Sequence, residues 1–104
     1  MANYLFAYSG RIDAAADKAE SDAHMAKWGQ WVGQLGSAFV DVGAPTGTAK
    51  TVGTGGSVSG GGSRGFTGYS IVAADSLDAA VELAKGCPVL EVGGAVDVYE
   101  AIAM

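Results

Sequence analysis

The chain has 104 residues, of which 49% are hydrophobic and 16% charged, with a formal net charge of −5. This length predicts a single domain over residues 1–104, because it leaves no room for a second core. The six basic residues are scattered, so we expect no nucleic-acid partner. We also expect no secretion signal and no membrane association, because the apolar runs are too short. Cys87 is the only cysteine, which excludes an internal disulfide and favours a cytoplasmic location.

The first half of the chain predicts a strand, a helix and further short strands. Residues 3–8 are apolar on both faces, which is typical of a central strand. A helix is expected from about Ser21, and Gly36 is a suitable residue to end it. Residues 38–42 predict a second strand, which residues 50–52 extend. The apolar stripe of the helix consists of Met25, Trp28, Trp31, Val32 and Leu35.

The second half begins with a tract of Gly and Ser at 53–65, which predicts a mobile loop. Residues 66–74 predict a third strand. A second helix follows, capped by Asp75 or Ser76 and ended by Gly86 and Pro88. Residues 95–102 form the last predicted strand. The apolar positions of the second helix follow helical spacing at Leu77, Ala80, Val81 and Ala84.

The order of these elements is β-α-β-β-α-β, which predicts an α+β, ferredoxin-like fold with one antiparallel sheet. Two helices cover one face of such a sheet, so the other face needs a different cover. Apolar rows such as Tyr4, Phe6 and Tyr8, or Tyr69 and Ile71, could occupy that second face. We therefore predict a homodimer in which the sheets pack together.

Short motifs along the chain, each weak alone, form a fairly specific pattern together. With them the chain resembles the YCII-related family, the proteins similar to YciI and to the DGPF proteins, over nearly its whole length. The resemblance implies a dimeric α+β barrel, in agreement with the order of elements. The motifs are YLF at 4–6, HMAKWGQW at 24–31, LG at 35–36, KTV at 50–52, GY at 68–69, DSLDAA at 75–80, GCP at 86–88 and GGAVDVYEAI at 93–102.

The chain departs from the family pattern at two places. Residues 59–65 occupy the region where the DGPF group carries Asp-Gly-Pro-Phe. The better understood branch is thought to use a His–Asp pair, with the acid in an Asp-Pro pair after the second helix. Here that place holds Cys87 and Pro88, so the resemblance implies an incomplete pair.

His24, the only histidine, is the candidate general base, because an imidazole titrates near neutral pH. Asp41 is the candidate residue to orient it. The helix descends and the next strand returns, so Asp41 could reach the level of His24 if its side chain faces the helix. The alternatives are that His24 lies at the edge of the core and that Asp41 ends the strand in water.

Candidate ligand-binding residues are Trp28, Lys50, Arg64 and Tyr69. Lys50 and Arg64 could clamp an anion or could be solvated loop charges, and Trp28 could line a cavity or belong to the core. Neither nucleotide motif is satisfied, because the Walker spacing is absent and the GxGxxG string at 60–65 precedes a strand. We predict no metal and no cofactor, and Cys87 is expected to be a packed thiol.

These observations predict a YCII-like dimer that binds a small molecule between helices and sheet. Any activity would be lyase-like or isomerase-like acid–base chemistry, with His24 as the first candidate residue. The alternative is a non-catalytic module that binds a small ligand or a protein partner.

Overall fold

A computed structural model describes residues 2–10, 18–47, 49–60 and 66–102. Strands β2, β5, β1 and β6 form an antiparallel sheet in that order, and β3 and β4 form a separate two-stranded sheet. The structure thus confirms an α+β fold with two helices and an antiparallel sheet. Neither helix of the described residues has the length and hydrophobicity needed to cross a membrane. The elements are β1 (Ala2–Ser9), α1 (Lys18–Leu35), β2 (Phe39–Pro45), β3 (Lys50–Val52), β4 (Val58–Gly60), β5 (Phe66–Ala74), α2 (Leu77–Ala84) and β6 (Ala95–Ala101).

Strand β1 lies in the centre of the main sheet, between β5 and β6, as its two apolar faces predict. Its residues Tyr4, Phe6 and Tyr8 are at most 5% exposed and form part of the core under the helices. The expectation that this row could occupy the uncovered face is therefore corrected. The hydrophobic pattern could not distinguish the two faces, because both rows of β1 are apolar.

The core is held together by aromatic contacts between α1 and the sheet. Trp31 stacks on Phe6 with ring centroids 6.4 Å apart, and its edge meets Phe39 at 5.3 Å. The Trp31 Nε1–H also donates a hydrogen bond to the Leu83 carbonyl, 3.2 Å away, on α2. One buried indole thus joins both helices to the same face of the sheet.

Helix α2 begins and ends where the sequence predicts. The Ser76 hydroxyl accepts a hydrogen bond from the Ala79 N–H at 3.1 Å, which identifies Ser76 as the N-cap. Beyond the helix, the Cys87 N–H donates to the Ala84 carbonyl. Cys87 is 2% exposed, and this burial raises the pKa of its thiol to about 11. Cys87 is therefore a packed, protonated thiol, as expected, and does not have the chemistry of a nucleophile.

The prediction of a loop over 53–65 is wrong for its first half. Residues 50–52 pair with 58–60 as an antiparallel hairpin, which adds a second sheet to the single predicted one. The Gly53 N–H donates to the Ser57 carbonyl at 2.6 Å and closes the turn. Backbone hydrogen bonds hold this hairpin together, and side-chain patterns do not reveal them. Its Gly and Ser residues favour a loop, so the sequence did not predict the hairpin. Residues 61–65 lie outside the described part of the chain.

The face of the main sheet turned away from the helices is called the open face here. Leu5 pairs with Ile71 and Tyr99, and Ala7 pairs with Tyr69, so these five side chains lie on that face. Leu5, Tyr69 and Ile71 are half-buried, and Tyr99 is 49% exposed. No described helix covers this apolar surface.

Candidate functional site

His24 lies on α1, where its ring is half-buried beside Trp28, one helical turn further along. The Trp28 Nε1–H donates a hydrogen bond to His24 Nε2 at 2.8 Å. A neutral imidazole that accepts through Nε2 carries its proton on Nδ1. In this state His24 presents a donor to its surroundings, and it can act as a base through Nε2 only after the bond to Trp28 breaks.

Trp28 belongs to an aromatic cluster at the edge of the core. Its ring meets Tyr8 edge-on at 5.1 Å and Trp31 edge-on at 5.6 Å. These contacts fix the indole, and the fixed indole holds the imidazole of His24. Trp28 therefore packs at the core, which is one of the two alternatives that the sequence left open for it.

Asp41 lies on β2, exposed to solvent, and its Oδ1 accepts a hydrogen bond from the Gly43 N–H at 2.8 Å. The strand is irregular here, because the pairing of β2 with β5 shifts on both sides of Asp41. Asp41 pairs with Ile71, a residue of the open face, whereas α1 packs on the opposite face. A single chain therefore does not bring Asp41 to His24.

The remaining candidates are dispersed. Lys50 is exposed on the hairpin of β3 and β4, and Tyr69 is half-buried on the open face. Arg64 lies outside the described residues. Trp28 lies on the helical side of the sheet, so the described candidates do not form one cluster within a single chain.

A groove of about 300 Å³ opens between α2, the 3₁₀ turn Pro88–Val92 and β6. Sequence reasoning did not identify this site, although the pattern contained a signal. Ala80 and Ala84 suffice to bury the inner face of α2, and Leu77 and Val81 remain 45% and 37% exposed. The lining residues are Leu77, Val81, Ala84, Lys85, Leu90, Val96, Asp97 and Val98.

The groove combines apolar walls with one positive charge. The Lys85 ammonium donates to the Glu82 carboxylate at 2.7 Å, and both side chains are about two-thirds exposed. Asp97 borders the groove, but it pairs with Ala7, so its side chain lies on the open face. Because the Lys85 ammonium remains in contact with water, it can rearrange toward a polar substituent at modest cost. This arrangement suits a small molecule with an apolar body and polar edges.

A buried hydroxyl pair lies at the centre of the sheet, and it belongs to the core. The Tyr8 hydroxyl donates to Ser70 Oγ at 2.9 Å, and Ser70 Oγ donates to the Val42 carbonyl. Burial raises the pKa of Tyr8 to about 12; the hydrogen bond with Ser70 lowers this pKa in part, and the nearby Cys87 adds to the rise. Tyr8 therefore stays protonated near neutral pH.

The fold is similar to that of 5-chloro-2-hydroxyhydroquinone dehydrochlorinase (TftG) from Burkholderia phenoliruptrix AC1100, whose structure is a complex with 2,5-dihydroxybenzoquinone. The TM-score is 0.61 at 18% sequence identity, and the alignment covers 98% of this chain and 95% of that chain. Likeness at this identity shows the fold alone. No protein-family model matches the chain, and no curated protein matches it significantly.

Proposed function

We propose that this chain is a YCII-like, ferredoxin-like protein that forms a dimeric α+β barrel and binds a small molecule in the groove between α2 and β6. The groove itself is the observation that carries the proposal. Its volume of about 300 Å³ is at the lower end of ligand sites in proteins. Its apolar lining with one ammonium is a usual composition of such sites.

The size and lining favour a single ring with polar substituents. Leu77, Val81 and Val98 offer apolar surface to the ring, and Lys85 can donate to an oxygen on its edge. The ligand in the structure of TftG, 2,5-dihydroxybenzoquinone, has this chemistry. It is therefore a suitable probe for the groove.

The binding experiment is a titration with 2,5-dihydroxybenzoquinone followed by calorimetry. Val81→Trp fills the groove and should abolish saturable binding. Met25→Trp is the matched control. Met25 is 66% exposed on α1, so this variant adds the same indole away from the groove. Equal binding by wild type and Val81→Trp would show that the groove is not the site.

The homodimer is supported by the uncovered apolar surface of the open face. Burying apolar surface contributes about 25 cal/mol for each Å² removed from water, so a second copy stabilises this face. Light scattering at micromolar concentration should give twice the monomer mass of 10.3 kDa. A mass of one chain would refute the dimer.

A second candidate function is lyase-like or isomerase-like acid–base catalysis by His24. Two observations favour it: the imidazole is half-buried on α1 beside Trp28, and the similar fold of TftG belongs to a dehydrochlorinase. His24→Gln should then abolish turnover and leave ligand binding intact, because it removes a proton acceptor. Asp41→Asn tests Asp41 as the proposed partner.

The alternative is a non-catalytic module that binds a ligand or a protein. The bond from Trp28 to His24 Nε2 and the bond from Gly43 to Asp41 fit that alternative, because each occupies a group that catalysis requires. Wild-type binding of the probe without any turnover would identify the module. Lys50, Arg64 and Tyr69 stay proposed ligand contacts, although Lys50 and Tyr69 lie away from the groove in a single chain. Probe binding that is unchanged by alanine at a position would remove that residue from the ligand site.

A further inference from the structure

The hairpin formed by β3, its turn and β4, residues 50–60, is called the arm here. Every residue of the arm is exposed. Apart from pairing with each other, β3 and β4 make no substantial contact with another described element. The radius of gyration is 15.0 Å, above the roughly 13 Å of a compact domain of this length. An isolated two-stranded hairpin is at best marginally stable in water, so the arm needs a further contact.

The two faces of the arm differ in polarity. Val52 and Val58 pair directly, and Lys50 lies two residues before Val52 on the same face. The two valines are 69% and 60% exposed. Thr51 and Ser59 pair on the opposite face. The arm thus has one apolar, basic face and one polar face, a pattern typical of a hairpin that is covered on one side.

The open face offers a surface of matching chemistry. Its centre is apolar around Leu5 and Ile71, and a carboxylate lies on each edge strand, Asp41 on β2 and Asp97 on β6. The arm supplies two exposed valines and the positive charge of Lys50. Apolar surface therefore matches apolar surface, and the ammonium matches the carboxylates at the rim.

We propose that the arm docks through Val52 and Val58 on the rim of the open face of a second copy of this chain. The occupant is a second copy because the chain carries both halves of the complementary pair and does not join them itself. Two symmetric arms would then cover the rims of two open faces in one closed dimer. The Lys50 ammonium would thereby lie beside the carboxylates at the rim of the partner's sheet. The inference depends on the homodimer proposed above.

The experiment compares two double variants by sedimentation over a concentration series. Val52→Asp with Val58→Asp places two charges on the apolar face, and Thr51→Asp with Ser59→Asp places two charges on the polar face. Each variant puts like charges directly opposite each other, so the strain within the hairpin is matched. The first should raise the dimer dissociation constant by about tenfold or more, and the second by less than about threefold. Equal effects, or none, would overturn the proposal.

Two further variants separate the arm from the dimer itself. Ile71→Arg charges the centre of the open face, and it should dissociate the dimer whether or not the arm contributes. A dimer lost with Ile71→Arg but kept with both valines replaced would refute the arm and leave the homodimer intact. Lys50→Glu should weaken the dimer, and adding Asp97→Lys or Asp41→Lys should restore part of the loss. Wild-type protein that stays monomeric would refute both proposals.

Discussion

The buried hydroxyl pair of Tyr8 and Ser70 gives a sharp test of how the sheet is stabilised. Ser70 is 2% exposed, and its hydroxyl accepts from Tyr8 while it donates to the Val42 carbonyl. Ser70→Ala therefore leaves two polar groups without this partner. An orphaned buried group costs about 1 to 3 kcal/mol, so we expect the free energy of unfolding to fall by about 2 to 4 kcal/mol.

Tyr8→Phe should cost much less, because it removes one donor and leaves the bond from Ser70 to the Val42 carbonyl. The expected loss is about 1 kcal/mol, and the ring keeps its packing against Trp28. In the double variant the phenol that Ser70→Ala would orphan no longer exists. The double variant should thus lose about 1 to 2 kcal/mol less than the sum of the single variants.

The measurement is urea unfolding of wild type, both single variants and the double variant, with the midpoint and slope fitted separately. An unchanged slope shows that the variants alter stability and not the extent of unfolding. Additive losses would refute the reasoning, because they would mean that Tyr8 and Ser70 contribute independently. A loss below about 1 kcal/mol for Ser70→Ala would show that water satisfies the freed groups.

Three further predictions follow from burial and backbone geometry. Because the fold raises the pKa of Cys87 to about 11 and of Tyr8 to about 12, the unfolded chain loses these protons first as pH rises. The free energy of unfolding should be unaffected below pH 9 and should fall between pH 9 and pH 12. The fall is about 1.4 kcal/mol for each unit by which the folded pKa exceeds the unfolded pKa, and Tyr8→Phe should reduce it. Gly43→Ala should destabilise by about 3 kcal/mol or more, since φ is +80° and a Cβ would lie 1.8 Å from the Tyr69 carbonyl oxygen. Gly29→Ala, with open space around its Cβ, should stabilise α1 by up to about 1 kcal/mol, and thermal unfolding measures both changes.

The sequence predicted the elements that rest on strong local patterns. The cap at Ser76 needs only a hydroxyl before a helical stripe, and the central position of β1 needs only apolar residues on both faces. The arm was missed because its pairing is made by backbone groups, while its Gly and Ser residues favour a loop. The groove was missed because the helical spacing of α2 does not show which apolar residues are buried. Ala80 and Ala84 alone bury the inner face of α2, so Leu77 is left exposed at the groove.

The proposed His24 and Asp41 pair shows why a site is harder to predict than a fold. Counting the rise per residue along the helix and the strand compares the heights of His24 and Asp41. The face of the sheet on which the Asp41 side chain lies depends instead on strand pairing. The register of β2 shifts between Phe39 and Asp41, so counting alternate residues does not carry the face of one to the other. The Asp41 carboxylate can therefore lie at the predicted height along the sheet and still be on the open face, away from His24.

The placement of the charged candidates separates two kinds of surface in this chain. The groove between α2 and β6 is formed within one chain, because a helix, a turn and a strand supply all of its lining. Lys50, Asp41 and Tyr69 instead lie on the arm or the open face, both of which the single chain leaves uncovered. Groove variants such as Val81→Trp should therefore act on ligand binding without changing the dimer. Variants of the arm should change the dimer first, and unchanged probe binding by the dissociated chain would show that the groove needs no partner.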